Sequence, residues 1–231
     1  GDREKARPLI EKGRRDGVLL GEEALALLDA FGVPVVPGRV VPKKEVLGET
    51  ARKLSYPLVL KVTGPSFLHK SEWGGVVTGI GGEEALFRAW DDLSARIAEK
   101  APTADFEGFH LQEQLSGTEL LLGMKRDPEF GPVLACGFGG IYTEIFRDVS
   151  RGIAPLGREE AEDMLRSLRI YPILEGARGQ AGVDLALLVD VLLRVSCLAE
   201  AIPDLMEMDI NPFVAGPKRS RAVDARFIWK K

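Results

Sequence analysis

The chain has 231 residues, 45% hydrophobic and 29% charged, with a formal net charge of −4, the balance of a globular protein with a real core and not of a disordered or fibrous one. No basic block is long enough to follow a phosphate backbone, and the longest apolar stretch, near Leu185 to Leu193, is interrupted by Asp190 and falls short of the ~20 residues of a membrane span, so neither nucleic acid nor membrane is expected as a partner. The two cysteines lack metal or disulfide spacing, the two histidines are too few for most zinc sites, and the opening GDREKARPLIEKGRR has no apolar core of a signal peptide, which together predict a reduced, cytoplasmic chain.

Along the chain, Ala24, Leu27, Leu28 and Phe31 fall at helical spacing over Gly21 to Phe31, with Glu22 and Glu23 near the positive end of the helix dipole. VPVVPGRVV and YPLVLKV are rich in β-branched residues and predict strands, with a helix from Lys44 to Leu54 between them. GPSFLHKSEWGG predicts a loop, Val76 to Ile80 a strand and Glu83 to Lys100 an amphipathic helix. Pro102 to Gly108 is polar and separates two periodic blocks, marking a domain boundary. Beyond it, FHLQEQL and TELLLGM predict strands joined at Ser116 and Gly117, followed by PVLACGF and IYTEIF. Helices are expected over Glu159 to Leu168 and Asp184 to Ala201, the second apolar nearly all round and therefore buried. MEMDINPFV and RAVDARFIW close the chain as two strands.

The familiar nucleotide signatures are missing. There is no GxxxxGK[ST], the glycines at 137, 139 and 140 do not complete GxGxxG, and no GxSxG occurs. Chemistry must be sought in less conventional groupings. Asp209 and Asn211 alternate on a strand and share a face, and Asp224 lies among apolar residues on the next strand, so the three supply oxygen donors suited to Mg²⁺; Asx residues in turns plus a surface salt bridge would give the same pattern. Lys61 follows the apolar PLVL, where a lysine requires a partner such as a nucleotide phosphate or a buried glutamate. His69 sits beside Lys70 and before a glycine pair, a setting for an imidazole that accepts a phosphoryl group, or for a solvated loop histidine. His110 alternates with Gln112 and Gln114 and reads as structural. Gln112 and Glu113 end a strand a few residues before Glu119, so backbone groups could meet an adenine edge while a carboxylate holds ribose; solvated hairpin charges would look alike. GFGGIYTE places flexible backbone beside Glu144, a candidate catalytic carboxylate near phosphates, although a β-bulge has the same appearance. Cys136 and Cys197 read as small core residues.

Taken in order, ALLDAFGVPVVP, YPLVLKVTGPSFLHKSEWGGVV, LQEQLSGTELLLGMKRDPEFGPVLACGFGGIYTEIFRDVS, LEGARG, MEMDINPFV and VDARF resemble the ATP-grasp β subunit of the ADP-forming acyl-CoA synthetases, the acetate–CoA ligase group. The chain is also similar, more distantly, to the β subunit of succinyl-CoA synthetase. The resemblance implies an α+β ATP-grasp fold of two lobes, residues 1–104 with Lys61 and the His69 loop and residues 105–231 with the adenine, ribose and metal ligands. It implies ATP or ADP with Mg²⁺ as cofactors, Lys61 on nucleotide phosphate, Gln112, Glu113, Gln114 and Leu115 at adenine, Glu119 on ribose, and Asp209, Asn211 and Asp224 on the metal. It further implies that His69 is a transient phosphohistidine relaying phosphate to a second histidine on a CoA-binding α subunit, in the reaction acyl-CoA + ADP + phosphate giving acid + CoA + ATP. Two positions depart from the pattern: Arg151 and Gly152 replace an apolar residue followed by arginine, and Trp73 replaces a smaller residue. The first departure leaves open a regulatory ATP-grasp module without turnover.

Overall fold

The computed structural model describes residues 2–64, 67, 74–100, 105–139, 148–177, 179 and 181–230, in two compact units: Gly1–Val35 with Ser116–Lys231, and Val36–Leu115. Among the described residues no helix is long and apolar enough to cross a membrane.

The chain begins in the larger unit with α1 (Arg3–Asp16), an element too charged to be legible as apolar periodicity. Local chemistry defines it. Asp2 caps it by accepting from the Lys5 amide at 3.3 Å, and Gly17, left-handed at φ 79°, ends it with its amide on the Gly13 carbonyl. β1 (Val18–Leu20) and α2 (Gly21–Ala30) follow, the latter burying Ala24, Leu27 and Leu28 as the spacing predicts.

The smaller unit is a four-stranded antiparallel sheet in the order β2-β5-β3-β4, made of β2 (Gly38–Val41), β3 (Leu58–Thr63), β4 (Val76–Ile80) and β5 (Gly108–Glu113). Leu58, Leu60 and Val62 point to one face, where they join Phe109, Leu111 and the Leu86, Ala89, Trp90 and Leu93 stripe of α4 (Glu83–Lys100) in one buried cluster. Trp90 meets Phe109 edge to face at 4.7 Å. The helix expected over Lys44 to Leu54 is a 3-10 turn, Lys44–Val46, running into the short α3 (Leu47–Ala51).

At Ser116 the chain returns to the larger unit. Its seven-stranded sheet has the path β1-β11-β9-β6-β7-β8, from β6 (Thr118–Asp127), β7 (Gly131–Phe138), β8 (Val149–Ile153), β9 (Leu205–Ala215) and β11 (Ala225–Trp229), with β10 (Arg221–Ala222) beside β9. Among the described residues three helices lie between β8 and β9: α5 (Arg158–Arg166), α6 (Tyr171–Glu175) and α7 (Leu185–Ala201). α7 packs against β7 and α5, α1 and α2 against β11. Alternation then sorts the side chains: Leu120, Leu122 and Met124 of β6, Leu134 and Cys136 of β7, Met208 and Ile210 of β9, and Phe227 of β11 are buried, while the residues between them are not fully covered.

The two units divide the chain differently from the expected lobes 1–104 and 105–231. β5 pairs with β2 and β3, so it stays with the smaller sheet, and β1 pairs with β11, so the N-terminal segment belongs with the C-terminal strands. FHLQEQL and TELLLGM accordingly do not form a hairpin; Ser116 and Gly117 carry the chain from one sheet to the other. Cys136 is buried as expected, whereas Cys197 is exposed on α7, on the side turned away from its buried Val195, Ser196 and Leu198.

Candidate functional site

The open face of the larger sheet carries the ionisable groups. Glu207, Asp209 and Asn211 alternate along β9 with the buried Met208 and Ile210, so strand periodicity alone turns all three to this face. Asp224 arrives by a different route. It lies in the break between β10 and β11, not within a strand as its apolar neighbours suggest. The Asn211 amide donates to the Asp224 carbonyl at 3.2 Å and the Val223 amide to the Pro212 carbonyl at 3.0 Å, which holds the break against β9. The Asp224 carboxylate accepts from the Ala225 amide at 3.0 Å.

Arg226 stands directly across from Asp209, and its guanidinium donates to the Glu207 carboxylate at 2.9 Å. The Asp209 carboxyl is nevertheless pushed above the usual carboxylate range. Burial is the largest cause; Arg226 opposes it, and the negative charges of Glu207 and Asp224 add to it. A half-buried carboxylate with two anionic neighbours is a place where a divalent cation relieves repulsion. Two carboxylates and an amide oxygen are hard donors that suit Mg²⁺, and they leave coordination positions for phosphate oxygens and water. Among the described residues no group of three or more His, Cys, Asp or Glu is placed to hold a metal ion by itself.

Beside these groups runs a groove of about 790 Å³ lined by Gly123, Lys125, Ala135, Arg151, Asp209 and Arg226 among others. Glu119, exposed on β6, shares the face. Its carbonyl accepts from the Gly139 amide at 2.8 Å. A side chain at Gly139 would meet the Leu120 backbone at 2.7 Å, and one at Gly137 the Asp148 carbonyl at 2.5 Å. These two glycines therefore permit close strand approach, which accounts for them without a phosphate cradle. Asp148 is anchored in turn, accepting from the Arg169 and Ile170 amides at 2.9 and 3.0 Å. Glu144, like His69, lies outside the described residues.

In the smaller unit Lys61 is half-buried on β3, across from His110 of β5 and Val76 of β4, on the face opposite the apolar cluster. His110 and Gln112, at 4% and 1% exposure, share that face; the expectation of a structural His110 agrees with its burial. The segment expected at adenine is held by main-chain bonds. The Glu113 amide donates to the Pro37 carbonyl at 3.0 Å and the Gln114 amide to the Pro57 carbonyl at 2.9 Å. The side chains are engaged as well: the Glu113 carboxylate accepts from the Ser55 amide at 2.9 Å and Gln114 Oε1 from the Gly79 amide at 2.6 Å. Glu113 and Gln114 thus shape the segment through their own side chains.

Sequence reasoning missed Lys125, Glu207 and Arg226. The signal was available in part, because Arg226 alternates with Asp224, yet only the strand register shows that it stands across from Asp209.

A family model described as an ATP-grasp domain matches residues 11–228. The chain is 38% identical over 226 residues to acetate–CoA ligase [ADP-forming] I subunit beta of Pyrococcus furiosus, covering 97% of each. It is 39% identical over 229 residues to acetate–CoA ligase [ADP-forming] I of Archaeoglobus fulgidus, covering 98% of this chain and 33% of that one; the chain thus spans about a third of that longer relative. Among solved structures it superposes with TM-score 0.92 and 36% identity on dinucleotide-forming acetyl-coenzyme A synthetase 1 of Ca. Korarchaeum cryptofilum, bound to coenzyme A, Ca-AMPCP and HgCl+, covering 97% of this chain and 100% of that one. A second complex of that protein, with coenzyme A and Mg-AMPPCP and a phosphohistidine segment pointing towards the nucleotide binding site, gives TM-score 0.86 and 34% identity, with the same shares covered.

Proposed function

This chain belongs to the ATP-grasp family, with the β subunits of ADP-forming acetate–CoA ligases, and on that premise we propose that it is the nucleotide-site subunit of an acid–thiol ligase that interconverts acyl-CoA, ADP and phosphate with acid, CoA and ATP. The observation that carries the reading is the meeting of Asp209, Asn211 and Asp224 on the open face of the larger sheet, held by the Asn211 to Asp224 main-chain bond. Those three residues hold Mg²⁺, which when bound neutralises phosphate charge. Lys61 contributes a cation to the nucleotide phosphates, the main chain of Gln112 to Leu115 borders the base, and Glu119 accepts from ribose hydroxyls. Glu144 acts near the phosphates.

His69 takes the phosphoryl group. As the imidazole nitrogen bonds to phosphorus, the bond to the ADP oxygen breaks and the ring gives up its proton; the reverse steps regenerate ATP. Phosphohistidine keeps a high transfer potential, so the exchange runs both ways, and the segment named in the Korarchaeum complex supports this role. The acyl and CoA chemistry requires a CoA-binding α partner, in keeping with the subunit naming of the Pyrococcus relative, and the assembly works in the cytoplasm.

The test is incubation of the full chain with γ-labelled ATP and Mg²⁺. An acid-labile, alkali-stable label on the His69 peptide is expected, lost in His69→Ala and kept in His110→Ala. Label that persists in His69→Ala would overturn the relay.

A further inference from the structure

The register of the larger sheet lines up five residues in one row across β11, β9, β6, β7 and β8. Arg226 pairs with Asp209, Asp209 with Gly123, Gly123 with Ala135, and Ala135 with Arg151. Directly paired residues of antiparallel strands point to the same side, so all five face the groove, whose lining contains every one of them. The row has charge at both ends and almost no side chain between. Gly123 and Ala135 leave a floor open from the Asp209 carboxylate to the Arg151 guanidinium, whose Cα atoms are three strand spacings apart, roughly 14 Å.

Arg151 differs from the other cation of the row. Arg226 is paired with Glu207, whereas among the described residues Arg151 makes no hydrogen bond or ion pair, and it is exposed. The two faces of β8 differ at this point. A side chain at the next position, Gly152, would meet Met164 Sδ at 2.6 Å and Leu156 Cδ2 at 2.7 Å, so that position lies on the packed side of the strand and a larger residue there would require these side chains to shift. One residue along a strand changes the face, and at 151 the guanidinium is delivered to the groove.

We propose that Arg151 binds the terminal phosphoryl group of the nucleoside triphosphate, on the opposite side from the metal held by Asp209, Asn211 and Asp224. This rests on the nucleotide-site reading given above and assigns to it a residue that distinguishes triphosphate from diphosphate. A guanidinium offers paired N–H donors in the geometry of two phosphate oxygens, and a group held between a metal and an arginine is fixed in orientation as well as charge. The diphosphate, lacking the terminal group, stops short of Arg151.

Calorimetric titration of the full chain with Mg²⁺ and either ADP or a β,γ-imido analogue of ATP reads this directly. Arg151→Gln is expected to weaken the triphosphate analogue by at least ~10-fold while ADP affinity stays within about 2-fold, and Arg151→Lys to recover part of the loss. Equal loss for both nucleotides, or no loss for either, would overturn the assignment while leaving the nucleotide site intact. Absence of Mg²⁺-dependent binding of both nucleotides to the unaltered chain would instead remove the nucleotide-site reading, and the role of Arg151 with it. Thermal unfolding of both variants should match the unaltered chain, since this exposed side chain makes no hydrogen bond or ion pair among the described residues.

Discussion

In the larger unit Lys125, Arg151, Asp209 and Arg226 stand on a sheet face and line the groove, whereas in the smaller unit Glu113 and Gln114 engage main-chain amides of the same unit. The difference has a thermodynamic meaning. Asp209 is held in a charge arrangement that costs the fold something, with burial and two carboxylates against one guanidinium. Glu113 and Gln114 each contribute a hydrogen bond to the fold. Substitutions in the first region should therefore change binding without destabilising the chain, and those in the second should do the reverse.

The largest effect is expected where the smaller unit has no surplus core. Phe109 is fully buried and packs edge to face on Trp90 at 4.7 Å and on Phe106 at 5.0 Å. Phe109→Ala should cost about 3–5 kcal/mol in denaturant unfolding, the usual range for emptying an aromatic site. A cost below about 1 kcal/mol would mean that the cluster repacks, and the smaller unit could not then be treated as stability-limited.

Asp224→Asn tests the opposite region. Losing an anionic donor should weaken Mg·ADP by at least ~10-fold, or about 1.4 kcal/mol, in calorimetric titration, with little change in the unfolding midpoint. Asp209→Asn should weaken metal binding too, yet stabilise the ligand-free chain near neutral pH. The sign follows from linkage. Because the folded-state pKa of Asp209 is raised, the folded chain holds that proton more tightly than the unfolded chain, so stability falls as pH rises through the ordinary carboxylate range towards the raised value. The neutral amide avoids that loss, and its advantage should be present above this range and vanish below the unfolded value. A ligand-free Asp209→Asn chain less stable than its parent at pH 7 would show that Arg226 outweighs the burial and the like charges.

Much of this was legible in the sequence. Val76 to Ile80 and Glu83 to Lys100 fall at the observed bounds of β4 and α4, because alternation and helical periodicity are local signals. The alternation of Asp209 and Asn211 also placed them on one face before any pairing was known. What was illegible is non-local. The return of β5 to the smaller sheet and the pairing of β1 with β11 depend on partners far along the chain, so the boundary near Pro102 to Gly108 followed composition and not contact. The engagement of the Glu113 carboxylate by the Ser55 amide, 58 residues earlier, leaves no signal in the sequence either. α1 was hidden for another reason: its helix is fixed by a cap, a left-handed glycine and surface charges, with only Ala6 and Gly13 buried.

The smallest effect is expected at Gln114. Its Oε1 accepts from the Gly79 amide at 2.6 Å, and Gly79 is left-handed at φ 71° within β4, a conformation whose amide needs an acceptor near the sheet edge. The pair is exposed, so water can take the place of the lost acceptor, and Gln114→Ala should cost only about 0.5–1.5 kcal/mol in unfolding. The main chain of the segment keeps its own anchors on Pro37 and Pro57, so Mg·ADP affinity should stay within about 2-fold. If the affinity fell tenfold with the unfolding midpoint unchanged, the side chain would be a ligand contact, and the division between a binding face in one unit and a self-bonded segment in the other would fail at this residue.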